Sequence, residues 1–197
     1  MSTQDYKLNS SFTYLIILAV LIALGVAGRL LPHPPNFTPM AAIALFAGFI
    51  FVKRYMSVVA VVSAMLLTDY FAFGYLSSEW FASKSMVVVY LALLFPIVFR
   101  GFLQKKLGAL RIAGAALASS TVFFVATNFA VWAFSPMYEK TFAGLVLCYT
   151  MAVPFFQNTI AGDMMWSGII FGAYYALRNY ANVAALTDKN SVLYSPN

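Results

Sequence analysis

The chain has 197 residues, of which 62% are hydrophobic and 9% charged, with a formal net charge of +6. Ordinary soluble domains carry about 25% charged residues, so this composition excludes a soluble globular protein and points to an integral membrane protein. The length leaves room for one helical domain, and no internal repeat or low-complexity stretch suggests a second.

Charge-free runs over 8–28, 30–52, 85–99, 112–138 and 141–162 mark candidate transmembrane helices, which need about 18 or more mostly apolar residues. The fold class expected is an all-α integral membrane protein with six transmembrane helices near 12–31, 38–52, 55–75, 85–103, 110–134 and 157–180. Residues 1–11 then form a cytoplasmic tail, 12–180 a single transmembrane domain and 181–197 a second cytoplasmic tail. The first span is not a secretory signal: its apolar run is roughly twice the usual length and its leading segment holds only Asp5 and Lys7.

Along that first span Ala19, Ala23 and Ala27 recur every four residues. They line one helix face and permit close approach, either within the bundle or by a docking helix of another subunit. The link to the second span is RLLPHPPNFTP at 29–39, which contains the only histidine. Its prolines hold His33 on a stiff, extended backbone. The second span is short for a full crossing and is expected to tilt or to start inside a funnel.

The third span carries Asp69 in AVVSAMLLTDYFAFGY, otherwise uncharged. An ionisable group at membrane depth costs several kcal/mol unless paired or hydrated, so it is a site candidate, although pairing with Arg29 is an alternative. The segment 141–156, TFAGLVLCYTMAVPFF, is expected to be an extra short helix that Pro154 separates from the last span. Asp163 lies one turn into that last span, where it is a second site candidate or a partner of the helix dipole. Cys148 is alone in the chain and has no cysteine with which to form a disulfide, a metal cluster or a redox pair.

Six spans place both termini on one side. With that side cytoplasmic, Lys7, Lys53, Arg54, Arg100, Lys105, Lys106, Arg111, Arg178 and Lys189 lie inside, nine of the twelve basic residues. The positive-inside rule then accounts for the net charge without nucleic acid, leaving membrane lipid as the partner of the basic face. The outer side collects His33, Asn36, Asp69, Tyr75, Trp132, Asn158 and Asp163, the expected substrate-binding residues. Catalytic motifs, metal-ligand clusters and phosphate-binding glycine loops are missing from the sequence, so neither an enzyme nor a resident cofactor or metal is expected.

RLLPHPPNFTPMAAIALFAG at 29–48, LLTDYFAFGY at 66–75 and the long stretch 128–177 together span most of the chain. In these the chain resembles small bacterial integral membrane proteins of unknown function related to S components of energy-coupling factor (ECF) transporters, including solitary BtuM-type cobalamin proteins. The resemblance implies an S-component-like bundle of six helices with cytoplasmic termini in the inner membrane. It also implies an outward-facing pocket for a small nutrient, vitamin or cofactor, and an alanine face that meets an ECF coupling subunit served by ATPases. The chain departs from the BtuM-type pattern in having no cysteine between Asp69 and Tyr90; His33 is the remaining candidate for a metal ligand. A structural or accessory subunit of a larger membrane complex is the alternative.

Overall fold

The computed structural model describes residues 11–73 and 83–193, the side chains as far as 180. The described residues are helical, with no strand among them. In chain order the helices are α1 (Ser11–Leu30), α2 (Met40–Ile50), α3 (Arg54–Phe73), α4 (Lys84–Leu94), α5 (Arg100–Lys105), α6 (Ala109–Phe134) and α7 (Phe142–Leu193). A 3₁₀ segment, Phe95–Phe99, joins α4 to α5 with Pro96 near its start, so the three pieces make one crossing over Lys84–Lys105. Among the described residues, five helical stretches are long and apolar enough to span a membrane. Large apolar side chains such as Phe12, Leu110 and Phe142 cover the outside, as a lipid-facing surface requires.

Two expectations are corrected. Among the described residues five helices rather than six are long enough to cross; the second span, short by sequence as well, is α2 with 11 residues, hence a length of about 17 Å against a hydrocarbon core of about 30 Å. All of its residues are buried. It has apolar side chains all round because it forms the axis of the bundle, where no side meets water. It packs on α3, α6, α7 and the 3₁₀ segment.

The second correction concerns 141–156. There is no separate short helix before the last span; α7 is continuous over 52 residues with Pro154 inside it. Proline removes one backbone donor and opposes the preceding carbonyl, which in water costs about 3 kcal/mol in a helix interior. In an apolar environment no solvent competes for the remaining backbone groups, so breaking the helix would cost more than accommodating the ring.

The alanines of α1 do not form the internal contact. Ala19, Ala23 and Ala27 are exposed, whereas Leu21 and Gly25 face inward. A methyl group at Gly25 would lie 2.8 Å from Ala64 Cβ, and one at Gly28 would lie 2.5 Å from the Pro39 ring. These two glycines therefore set how closely α1 approaches α3 and the start of α2.

The lower end of α2 is tied down by side chains. Ser57 Oγ donates to Ala47 O (2.8 Å), Gln104 Nε2 to Phe49 O (2.8 Å) and the Arg100 guanidinium to Val52 O (2.8 Å). Phe46 and Phe49 meet Phe171 and Tyr174 at ring separations of 5.3–5.8 Å. The upper end is different: α2 starts at Pro39 with no side-chain cap, leaving its positive dipole end open.

Candidate functional site: a chamber above the central helix

Because α2 begins part-way through the bundle, space remains above its first turn. A chamber of about 290 Å³ occupies it, and Met40 and Ala41 are part of its lining. Its polar lining comes from Arg29 of α1, His33, Asn36 and Thr38 of the loop, Ser119 of α6, and Thr159 and Asp163 of α7; Met65, Val89, Leu93, Pro96 and Phe123 add apolar wall. A second chamber of about 260 Å³ adjoins it, sharing Asn36, Val89, Phe123 and Thr159 and adding Thr127 and Asn128.

The proline loop is shaped to seat in this chamber. Pro35 and Asn36 are the central residues of a turn closed by Phe37 N–H donating to Pro34 O (3.0 Å), and Asn36 has φ of 64°. Proline followed by a residue with positive φ is the type II turn pattern, and asparagine tolerates the left-handed region better than most residues. His33 Nδ1 lies 2.8 Å from Pro34 O and Nε2 3.3 Å from Arg29 O. Below the turn, Phe37 crosses α7 at Gly162, where an added methyl would stand 3.1 Å from Phe37 Cα. Glycine there lets the loop backbone lie against the helix beside Asp163.

Asp69 is 1% exposed and has two strong donors. The Arg29 guanidinium meets Oδ1 at 2.9 Å in an ion pair, and the Tyr90 hydroxyl donates to Oδ2 at 2.7 Å. Arg29 also donates to the Thr68 hydroxyl. The resulting network ties α1, α3 and α4 together behind the chamber wall. Asp69 is thus the Arg29 partner, and Arg29 is the member that lines the chamber.

Asp163 is 4% exposed and lines the chamber directly. Ser120 Oγ is 2.6 Å from its Oδ2. The neighbouring hydroxyls of Ser119 and Thr159 donate to their own helices, at Ala115 O and Phe155 O. They therefore present lone pairs to the chamber, and a bound molecule must supply N–H or O–H donors to meet them.

Of the expected binding residues, His33, Asn36 and Asp163 meet at one chamber, with Asp69 one contact away. Trp132 and Asn158 line neither chamber. Trp132 Nε1 donates to Glu139 O (2.9 Å), and Lys140 Nζ donates to the carbonyls of Trp132, Ser135 and Tyr138, so Trp132 secures the turn between α6 and α7. Tyr75 lies outside the described residues. Sequence reasoning missed Arg29, Thr38, Ser119 and Thr159 among the polar lining residues. Hydroxyls in apolar helices carry little sequence signal, because most satisfy their own backbone. Arg29 was legible only as the alternative partner of Asp69, which it is, and not as a wall of the chamber.

A family model matches residues 9–186: the family of unknown function DUF6580. The match covers most of the chain, which therefore belongs to that family. No curated protein and no solved structure matches the chain.

Proposed function

We propose that this member of the DUF6580 family is a solute-binding membrane subunit that takes up a small nutrient or cofactor through the chamber above α2. One observation carries the reading: a chamber of about 290 Å³ inside a bundle of membrane-length helices, with Arg29, His33, Asn36, Thr159 and Asp163 among apolar walls. Small-molecule sites combine an apolar enclosure with a few placed polar groups, and their volumes start near about 300 Å³. A compact solute bearing N–H or O–H groups fits that volume and those hydroxyl acceptors; a corrin macrocycle does not.

The bias of basic residues supports cytoplasmic termini in a bacterial inner membrane, with the proline loop on the outer side. The sequence holds no nucleotide-binding motif, so energy comes either from partner ATPases through a coupling subunit or from an ion gradient. The exposed Ala19, Ala23 and Ala27 are the surface available to such a coupling subunit. The same exposed face favours the second reading, an accessory subunit of a larger membrane complex that binds no solute.

The test is to purify the full chain in mild detergent from cells grown in rich medium and to identify by mass spectrometry what denaturation releases. A stoichiometric small molecule, lost from His33→Ala and Thr159→Val variants that remain folded, is the expected result. Empty wild-type protein that purifies with other membrane chains would replace solute binding by the accessory role.

A further inference from the structure

The hydrogen bonds around Asp163 do not balance if its carboxyl group is ionised. Ser120 Oγ lies 2.6 Å from Asp163 Oδ2 and 3.1 Å from Ala116 O. A serine hydroxyl has one hydrogen to donate, whereas a carbonyl and an ionised carboxylate only accept. With Asp163 ionised, that single hydrogen is shared between two acceptors, and a negative charge inside an apolar bundle rests on one neutral donor. Such a charge is costly unless paired. A proton on Oδ2 resolves both problems: Asp163 O–H donates to Ser120 Oγ, and Ser120 O–H donates to Ala116 O.

No cation offers the alternative solution among the described residues. From α1, Arg29 faces the chamber but is engaged with Asp69. From the loop, His33 points its ring nitrogens at the carbonyls of Pro34 and Arg29. From α4, the Tyr90 hydroxyl is on Asp69. Helix α6 contributes Ser119 and Ser120, and α2 contributes Met40 and Ala41.

We infer that Asp163 is a proton-binding site of the chamber, holding its proton while the chamber is empty and exchanging it with what enters. On exchange the Oδ2–H bond breaks, its electron pair stays on the carboxylate, and the proton passes to water or to a basic group of the solute. Arrival of that positive charge leaves a carboxylate facing its counter-ion. The consequence that solute retention varies with pH rests on the solute-binding reading; proton binding itself does not.

The experiment is infrared difference spectroscopy of the full chain in lipid nanodiscs, with no solute added, as the buffer is changed from about pH 6, where exposed carboxyl groups are already ionised, to alkaline. The expected result is a protonated-carboxyl C=O band that disappears toward alkaline pH. It should be absent from Asp163→Asn at every pH, present in Asp69→Asn, and moved to higher frequency in Ser120→Ala, where its hydrogen-bond partner is gone. The chain has six Asp and Glu residues, so the band is assignable. A band that persists in Asp163→Asn, or a wild type with no titrating band, overturns the inference. Should Asp163→Asn fail to fold, Ser120→Ala decides, because an unshifted band is equally fatal. A protein that releases no solute on denaturation but still shows the band overturns the solute-binding reading and leaves this inference standing.

Discussion

Asp69 and Asp163 are both almost completely buried in helices of one bundle, but their neighbours treat them as different chemical species. Asp69 receives a guanidinium and a phenol hydroxyl, which together compensate a full negative charge. Asp163 receives one serine hydroxyl that already has another acceptor within reach. The first arrangement joins three helices and suits a permanent ion pair. The second leaves a carboxyl group open to the chamber and suits exchange. Burial alone therefore does not assign a role to an acid in a membrane; its donors do.

The sharpest way to break this contrast is to remove the cation. Arg29→Met leaves Asp69 buried without a counter-charge, and losing one partner of a buried pair costs about 3–5 kcal/mol. Thermal unfolding in detergent should show the largest loss of all the variants here. The double variant Arg29→Met/Asp69→Leu should recover a substantial part of it. A single variant as stable as the wild type would show that the pair is not structural.

Gly28→Val tests the frame on which Arg29 is carried. The added side chain meets the Pro39 ring, and overpacking of this kind costs about 1–3 kcal/mol. The same thermal assay should register it as a loss of stability smaller than that of Arg29→Met. Asp163→Asn should cost less than about 1 kcal/mol, since a carboxamide resembles the protonated acid and can still donate to Ser120. If Asp163→Asn destabilised the protein as much as Asp69→Asn, the two acids would not differ as argued. The smallest effect is expected from Ala23→Leu on the exposed face of α1: within about 0.5 kcal/mol of wild type in isolation, but with loss of copurification if a coupling subunit docks there.

Much of the bundle was legible in the sequence. Runs free of charge mark membrane helices because an unpaired charge in hydrocarbon is expensive, and four of the five long spans appear where those runs lie, whereas the run 30–52 holds the proline loop and the short α2. The proline loop was recognisable as a rigid element, and His33, Asn36 and Asp163 do converge on one chamber. Pro154 misled the reading, since a rule learned from water overstates what proline does to a helix in an apolar setting. The alanine stripe of α1 left internal packing and docking of another subunit both open, because small residues permit close approach without determining which face receives it; Gly25 and Gly28 make the internal contact here.

The sequence by itself thus determined the environment, the helical class and the rigid loop, because each follows from local composition and backbone chemistry. Only the tertiary structure decided that α2 begins half-way and leaves a chamber above it, that Arg29 meets Asp69, and that Ser120 meets Asp163. Those contacts join residues about forty positions apart, and no local rule of charge or periodicity selects one such pairing over another.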